Sequence, residues 1–461
     1  MTAIDEFRNL LGSGAVLSSE GDMASYAVDW KKSFRGLPAF VILPRSAEQV
    51  SAAVRLAFQE GLTIVPQGGN TGLAAGATPD ETGRQIVLAL SRMNSVRKVD
   101  TVGMTLEVEA GCILKTAQDA AAAVDRMLPV SFGAEGSAQI GGVIATNAGG
   151  INVLKFGMAR QLVLGLEVVR PDGSVLSGLR HLRKDNAGYD WKHLFIGSEG
   201  TLGVITAAIL RLVPRPKHVV TALMAIPDAH SVLALLKFMQ DELGDAISAF
   251  ELISGDSLKL VAEHFELLSP IARVGWHVLL EASSSIGDLE DAVGRALMSA
   301  LEEGIATDGV VAQSHSQAAQ LWALRERIPE AEAKEQPSFK HDVSVPIPTL
   351  PCFLEEASDA IRKRYPATRL NVFGHVGDGN IHFNVIAAPD TDGGSVNRTM
   401  HDLVHAYGGS ISAEHGIGAY RVEEYARYCS PTEMILSREI KRLLDPTELL
   451  NPGKIFARRS E

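Results

Sequence analysis

The sequence predicts an α+β fold with more than one domain, and three patterns support that prediction. Residues 44–72 have the pattern of a helix followed by a short strand and a glycine loop. Beyond LRLVPRPK, near Pro214 and Pro216, the segments follow the order β-α-β-β-α-β, which is typical of a ferredoxin-like unit. The C-terminal part returns to helices. We therefore expect a first domain over residues 1–216, a second over 217–420, and a C-terminal segment, 421–461, that returns to the first as a helical cap.

The helix of the opening unit is predicted from its capping residues and its apolar spacing. Ser46 and Gln49 form a capping box at its start. Three residues at helical spacing mark its apolar face: Val50, Val54 and Phe58. In the second domain, helices over about 229–243 and 286–303 are expected between the strands HVVTALMAI, ISAFELI, VGWHVLLEA and GVVAQ.

Composition limits the class of function. The 461 residues include 55 acidic and 43 basic ones, for a net charge of −12, and 46% are hydrophobic, so the chain is globular rather than disordered. Without a basic stripe, a nucleic-acid partner is not expected. No apolar run approaches the roughly 18 residues needed to span a bilayer. The N-terminus, MTAIDEFRNL, has no signal-peptide pattern, so a cytoplasmic protein is expected.

Glycine is concentrated where a ligand could lie against the backbone. Residues 133–203 contain 14 glycines in 71 positions. Four segments stand out: PQGGNTGLAAG (66–76), GSAQIGGVIATNAGG (136–150), KDNAGYD (184–190) and GSEGTLGVIT (197–206). Each alone fits an ordinary turn. Together they favour a large bent ligand such as a dinucleotide, but the sequence has neither G-x-G-x-x-G/A nor a P-loop, so a Rossmann site is not predicted.

These motifs, with LRKDNAGYD and LLDPTELLNPGKIF, resemble the FAD-linked oxidases of the vanillyl-alcohol-oxidase type over residues 29–456. The similarity is greatest to the D-2-hydroxyglutarate and D-lactate dehydrogenase branch, which includes the glycolate oxidase flavin subunit. The resemblance implies a two-part FAD-binding domain (PCMH type), and FAD that is noncovalent because Asn70 stands where covalent relatives place a histidine. The implied cofactor residues are Pro66, Gly68, Gly69, Asn70, Thr71, Gly72, Ser137, Gly141, Asn147, Gly200, Ile205 and Asn451.

A second cluster combines FGHVGDGNIHFNV (373–385) with SAEHGIG (412–418). His375 and His382 flank a tight turn, and Glu414 could complete a 2-His-1-carboxylate set, although such residues are more often structural on spacing alone. The resemblance implies that they bind a divalent metal, with zinc favoured over manganese or iron. Because Glu414 and His415 are adjacent, they would point to opposite faces of an extended strand, so a bend at Gly416 is expected.

The implied reaction oxidises a D-2-hydroxy acid to the 2-oxo acid, with the hydride going to flavin N5. The resemblance assigns the base that takes the hydroxyl proton to His415, which directly follows the predicted glutamate ligand. Asn380 is a candidate hydrogen-bond partner of the substrate. Arg325 and Lys340 are candidates for its carboxylate, unless both lie on a solvated charged face.

The substrate and the partners stay open at this stage. Pro329 stands where relatives that oxidise 2-hydroxyglutarate tend to carry Thr or Ser, and proline supplies no donor, so both D-2-hydroxyglutarate and D-lactate are retained. Without an NAD fingerprint, the electron acceptor is expected to be an electron-transfer flavoprotein or a quinone. A homodimer, a flavin subunit of a larger complex and, as a rival class, a metal-dependent hydrolase are the alternatives.

Overall fold

The computed structural model of the protein describes residues 2–272 and 275–458. The chain divides into two compact units. The first contains Met1–Gly150, Gly157–Arg215 and Glu414–Glu461. The second contains Ile151–Phe156 and Pro216–Ala413.

The first unit opens with a small, mostly parallel sheet. Its elements are α1 (Ala3–Leu11), β1 (Val16–Leu17), α2 (Glu20–Met23), β2 (Pro38–Ile42), α3 (Ala47–Gln59), β3 (Thr63–Gln67) and β4 (Gln85–Ala89). The strand order is β1-β2-β4-β3, and β1 alone of these four pairs antiparallel. Consequently the glycine loop after β3 leaves from the carboxyl ends of parallel strands, where ligands commonly bind α/β sheets.

Helix α3 begins at the predicted Ser46 cap, but Gln49 accepts the N–H of Arg45 rather than that of Ser46, and the apolar face differs in the last turn. The Ser46 hydroxyl accepts the Gln49 N–H, and the Gln49 side chain accepts the Arg45 N–H. Val50 and Val54 are fully buried. The prediction for Phe58 is wrong, because its side chain is 57% exposed. Ala57 is the buried residue in that turn. It lies seven residues after Val50, close to two full helical turns, whereas Phe58 lies eight residues after Val50 and points further from the buried face.

A larger antiparallel sheet completes the first unit. This part of the chain contains β5 (Val96–Asp100), β6 (Thr105–Glu109), α4 (Leu114–Ala122), β7 (Arg126–Met127) and α5 (Ile140–Ala145). The next helix, α6 (Val153–Phe156), belongs to the second unit. The first unit then continues with α7 (Ala159–Leu162), β8 (Val163–Val169), β9 (Val175–Ser177), α8 (Lys192–Phe195), β10 (Val204–Arg211) and β11 (Val213–Pro214). The strand order is β5-β6-β10-β8-β9. β7 and β11 pair with each other as a separate two-stranded sheet. One continuous apolar core includes residues from the four-stranded and the five-stranded sheets of this unit.

The second unit begins with the predicted ferredoxin-like order. Its elements are β12 (His218–Ile226), α9 (Ala229–Leu243), β13 (Ile247–Ser254), α10 (Gly255–Phe265), β14 (Trp276–Ser284), α11 (Leu289–Glu302) and β15 (Asp308–Val311). In space the strands run β15-β12-β14-β13, all antiparallel. The predicted order is therefore confirmed, with α10 as an added helix between the second and third strands.

The same sheet continues into the strands that carry the second motif cluster. Next come α12 (His315–Glu326), α13 (Ile328–Glu332), β16 (Ser338–Phe339), β17 (Asp342–Ser344), α14 (Leu350–Arg364), β18 (Arg369–Gly374), β19 (Asn380–Ile386) and α15 (Gly393–Ala406). β18 pairs with β13, and β19 pairs with β18, β16 and β17. The chain then forms α16 (Val422–Tyr428) and α17 (Pro431–Leu444) in the first unit. Over the described ranges, every helix is too short or too polar to cross a bilayer.

Candidate active site

In the first unit, the glycine loop after β3 lies against a second predicted cofactor segment. A Cβ atom on Gly69 would lie 2.0 Å from the carbonyl oxygen of Ser137, so only glycine permits this approach. A Cβ atom on Gly68 would lie 3.4 Å from Cβ of Gln139. The structure therefore brings loop 66–72 together with the GSAQIGG segment. Gly72 is not part of this close approach, since a Cβ atom there would meet no atom within 4 Å.

Two other predicted glycines also lie at close packing contacts. Gly200 has φ +71°, and a Cβ atom there would lie 3.2 Å from Cγ of Pro66. At Gly141 an added Cβ would lie 2.8 Å from Cβ of Ala110, so the absence of a side chain lets α5 pack closely on the chain after β6. The remaining candidates vary in exposure: Thr71 is half-buried, Ser137 is exposed and Ile205 is buried in β10.

The three predicted cofactor asparagines are the residues that hold these loops in shape. Asn70, Asn147 and Asn451 all adopt left-handed backbone, with φ of 52°, 51° and 47°. Asparagine tolerates that region better than most residues. Nδ2–H of Asn70 donates to the Val28 carbonyl at 2.8 Å, and Oδ1 of Asn147 accepts the Arg160 N–H at 2.9 Å. Nδ2–H groups of Asn451 donate to the carbonyls of Gly76 and Glu199 at 2.8 and 2.7 Å.

Two buried acceptors in this region fit a ligand that carries hydrogen-bond donors. Within the described residues, Oε1 of Gln139 and Oδ1 of Asn451 have no hydrogen-bond partner, although both side chains are buried. A buried polar atom without a partner is costly, so a bound molecule is the natural source of the missing donor. FAD has suitable ribityl and ribose hydroxyls, and the residues present therefore fit the predicted cofactor.

Glu199 fixes the loop that contains the predicted catalytic histidine. Its carboxylate accepts the backbone N–H groups of Ile417 and Gly418 at 2.8 and 2.7 Å. Burial raises the pKa of Glu199, and these two backbone hydrogen bonds oppose that shift. Nearby, Oε1 of Glu414 accepts the N–H of Gly150 at 3.1 Å. The first unit therefore joins the GSEGT and NAGG segments to the EHGIG segment.

The predicted bend in EHGIG is present. Residues 413–415 form bends rather than a strand, and Gly416 has φ +74°. A Cβ atom at Gly416 would lie 2.7 Å from Oε1 of Glu199, so this turn needs glycine for space as well as for conformation. Glu414 and His415 are both half-buried on this bent segment of the first unit.

In the second unit, a buried glutamate contacts two of the predicted site residues. Glu251 lies on β13 and is 1% exposed. Nδ1–H of His375 donates to its Oε1 at 2.5 Å, and Nε–H of Arg325 donates to its Oε2 at 2.8 Å. Burial would raise the pKa of Glu251, but the adjacent His375 and Arg325 outweigh it and hold that pKa at about 2. The carboxylate is therefore ionised at neutral pH.

The turn between β18 and β19 brings the two predicted metal-binding histidines together. The ring centroids of His375 and His382 are 6.1 Å apart. Nδ1 of His382 lies 3.9 Å from Oδ1 of the buried Asp342, which also accepts Nδ2–H of Asn380 at 2.9 Å. His375 thus has a carboxylate at hydrogen-bond distance from Nδ1, the arrangement usual for histidines that bind a metal through Nε2, whereas Asp342 approaches Nδ1 of His382 only to 3.9 Å. These side chains fit a divalent metal.

Arg325 is placed to bind an anion, whereas Lys340 is less constrained. Arg325 is buried, and Cζ of its guanidinium lies 4.6 Å from the centroid of the Phe373 ring. In the described part of the chain its Nη1 and Nη2 have no hydrogen-bond acceptor, since only Nε is engaged, by Glu251. Lys340 is exposed between β16 and β17 and has no ion-pair partner in the same ranges. Pro329 is exposed at the start of α13.

The sequence reasoning missed Glu251 and Glu199. Both are acidic residues placed among apolar residues and glycines, in ISAFELI and GSEGTLGVIT. Glu251 lies inside a buried strand and Glu199 in a turn before one, and because burial of an unpaired charge is costly, an acid in such apolar surroundings indicates a partner. That pattern was the available signal, but it does not identify the partners.

Comparison with known proteins assigns both parts of the chain. Residues 38–178 match the model of the FAD binding domain, and residues 215–455 match that of the FAD linked oxidases, C-terminal domain. The chain belongs to the FAD-linked oxidase family. It is therefore an FAD-dependent oxidoreductase, and the predicted family and α+β fold class are confirmed.

Relatives of this FAD-linked oxidase match it over nearly its whole length. It is 37% identical to "D-2-hydroxyglutarate dehydrogenase, mitochondrial" of Rattus norvegicus, over 97% of this chain and 83% of that protein. It is 36% identical to "D-2-hydroxyglutarate dehydrogenase" of Stutzerimonas stutzeri, over 98% of both chains. The protein of that name from Xanthomonas citri pv. viticola is 39% identical, over 94% of this chain and 93% of its own.

Solved structures show that the fold is shared more widely. An alkyldihydroxyacetonephosphate synthase aligns with a TM-score of 0.77 and 17% identity, over 98% of this chain and 84% of that one. A p-cresol methylhydroxylase with bound substrate aligns with a TM-score of 0.76 and 16% identity, over 99% and 96%. At these identities the likeness concerns the fold alone.

Proposed function

We propose that this FAD-linked oxidase oxidises D-2-hydroxyglutarate to 2-oxoglutarate. The observation that carries the proposal is Arg325, a buried guanidinium whose terminal nitrogens have no acceptor in the described residues, held on the same carboxylate as His375. A pre-positioned fork of this kind suits a carboxylate. The names of the relatives, at 36–39% identity over almost the whole chain, support the choice of substrate.

The chemistry divides between the bound groups and the side chains. FAD, when bound, supplies the acceptor for the hydride from C2 of the substrate. A divalent metal, zinc in our proposal, would be held by His375, His382 and Glu414 and would lower the pKa of the substrate hydroxyl. His415 takes the hydroxyl proton. Arg325 and Lys340 bind carboxylate, and Asn380 donates to or accepts from the 2-hydroxyl.

We propose that FAD is bound noncovalently by the predicted cofactor residues of the first unit, which extend from Pro66 in the glycine loop to Asn451 near the C-terminus. Asn70 uses its amide nitrogen to hold the Val28 carbonyl. An asparagine amide is not a nucleophile that would form a flavin linkage, which supports noncovalent binding. Electrons would leave to an electron-transfer flavoprotein or a quinone. Membership of an FAD-linked oxidoreductase family argues against the hydrolase alternative.

Pro329 favours a second candidate substrate, D-lactate. It lies four residues after Arg325, but α12 ends at Glu326 and α13 begins at Ile328. The residue has no donor for a distal carboxylate and its side chain is exposed. A substrate with a single carboxylate would need no such donor.

Anaerobic reduction of the purified protein tests the proposal. The flavin absorbance should be present without covalent attachment, and D-2-hydroxyglutarate should bleach it at lower concentration than D-lactate does, while L-2-hydroxyglutarate leaves it unchanged. A protein without flavin bands, or one that no D-2-hydroxy acid bleaches, contradicts the proposal. Stronger bleaching by D-lactate would favour the second candidate.

A further inference from the structure

The carboxylate of Glu251 has a separate partner on each oxygen. Oε1 accepts from His375 at 2.5 Å and Oε2 accepts from Arg325 at 2.8 Å. The three residues come from distant positions in the sequence, and Glu251, His375 and Arg325 are 1%, 8% and 8% exposed. A carboxylate buried to this extent is stable only when both oxygens are satisfied, so the two contacts depend on each other.

We propose that Glu251 is a positioning residue that couples metal binding at His375 to carboxylate binding at Arg325. This inference rests on the proposed function, because it assumes that His375 is a metal ligand and Arg325 a substrate ligand. Glu251 itself touches neither ligand.

The coupling begins with the tautomer of His375. Arg325, which is always protonated, donates to Oε2 of Glu251, so Glu251 is paired as a carboxylate and Nδ1 of His375, 2.5 Å from Oε1, is the atom that carries the proton. The neutral imidazole then presents the lone pair of Nε2, which is the form that binds a metal. Without the carboxylate, both tautomers of His375 become accessible.

The same carboxylate fixes the orientation of Arg325. Glu251 engages Nε–H, the side of the guanidinium nearest the helix, while the Phe373 ring supports its flat face at 4.6 Å. The four N–H groups on Nη1 and Nη2 remain for an anion. Phe373 also contacts His382, with ring centroids 4.9 Å apart, but an aromatic ring sets no tautomer. Glu251 is thus the charged group that contacts both side chains and fixes the tautomer of His375 and the orientation of the Arg325 guanidinium.

The strand beside Glu251 supplies a matched control. Glu281 lies on β14, and its carboxylate accepts hydrogen bonds from Trp322 at 2.8 Å, Ser248 at 3.3 Å and Thr221 at 3.4 Å. Burial raises the pKa of Glu281, and its donors are all neutral. A Glu281→Gln change therefore places an amide on a buried strand of the same sheet without altering the partners of His375 or Arg325.

The experiment compares Glu251→Gln and Glu281→Gln with the wild type as FAD-loaded protein. Metal-stripped samples are titrated with Zn²⁺ against a chromophoric chelator, and kcat and KM are measured with D-2-hydroxyglutarate. Glutamine has one acceptor oxygen, so Glu251→Gln cannot serve both donors. We expect Zn²⁺ affinity to fall about 10- to 100-fold and KM to rise about 10-fold or more, with both values within about twofold of wild type in Glu281→Gln.

A change in only one of the two readouts, or in neither, overturns the coupling. The tautomer provides a test that needs no altered Glu251: ¹⁵N spectra of metal-free wild type should show His375, assigned with His375→Gln, protonated on Nδ1. Protonation on Nε2 alone overturns the inference. If wild type and Glu281→Gln bind Zn²⁺ but are not reduced by D-2-hydroxyglutarate, the proposed substrate is wrong, and the Zn²⁺ and ¹⁵N results still test the positioning role.

Discussion

The carboxylate of Glu199 accepts the backbone N–H of Gly418 at 2.7 Å, which joins two motifs 219 residues apart in the chain. A second bond, from the Ile417 N–H at 2.8 Å, uses its other oxygen. Because loop 414–418 contains the predicted base His415, the position of that base in the first unit depends on a residue within the predicted cofactor segment GSEGTLGVIT. Glu199 is therefore a structural part of the site rather than a surface acid.

Replacement of Glu199 by Gln should loosen this loop. Glutamine can accept with one oxygen only, so one N–H of the loop loses its partner at a buried position. We expect the free energy of unfolding, measured in urea, to fall by about 1–3 kcal/mol. The rate of anaerobic flavin reduction should also fall, because His415 lies on the loosened loop. Glu107→Gln, a change at a partly exposed acid, is the control. Unchanged unfolding in Glu199→Gln would show that the two bonds contribute little.

The sequence predicted the elements whose signals are local. The Ser46 cap and the strand order that begins at β12 both depend on short-range spacing, and both are present in the structure. The prediction that Phe58 is buried was wrong, because eight residues after Val50 the chain has turned past the apolar face of the helix. The smaller Ala57 fills the buried position instead.

The site was harder to predict because its contacts are long-range. The partners of Glu251 lie 74 and 124 residues away, and those of Glu199 lie 218 and 219 residues away. No spacing rule links such positions. The motifs indicated FAD and a metal as ligand types, and the fold determined which acid contacts which predicted site residue.

Lys454 should make stability increase with pH in mildly alkaline solution. Burial lowers its pKa to about 8 from an ordinary value of 10.5, against the opposing effect of Asp80 and Glu199. Between pH 8 and 10.5 the unfolded chain binds more protons than the folded one, so the free energy of unfolding rises with pH across this window. Below pH 8 both states are protonated and the full cost of burial, about 3 kcal/mol, is present.

Lys454→Met should remove that cost. Urea unfolding of wild type and variant between pH 7 and 10 should show a variant that is more stable at pH 7, with a difference that shrinks as the pH rises. Lys98→Met, at an exposed strand residue, is the control and should leave the pH profile unchanged. Parallel profiles for wild type and Lys454→Met would show that the lysine is not desolvated.

His415→Ala tests the proposed base. Loss of a general base typically slows proton transfer about 10²- to 10⁴-fold, so anaerobic flavin reduction by D-2-hydroxyglutarate should slow to that extent while flavin content stays the same. The control is His230→Ala, because His230 is 62% exposed and lies in the second unit on α9. Reduction of His415→Ala at the wild-type rate would assign the proton transfer to another group.

Pro329→Thr tests whether the distal end of the substrate lies near the start of α13. Threonine restores a hydroxyl donor there, and one hydrogen bond to a carboxylate contributes about 1.5–3 kcal/mol. If D-2-hydroxyglutarate is the substrate, its KM should fall about 10-fold or more, whereas the KM for D-lactate, which has no second carboxylate, should not change. Pro329→Val, which matches the shape of threonine without the hydroxyl, separates the donor from the loss of the proline ring. A fall in KM with both variants would attribute the effect to the backbone, and no fall with either would place the distal carboxylate elsewhere, with the exposed Lys340 as the next residue to change.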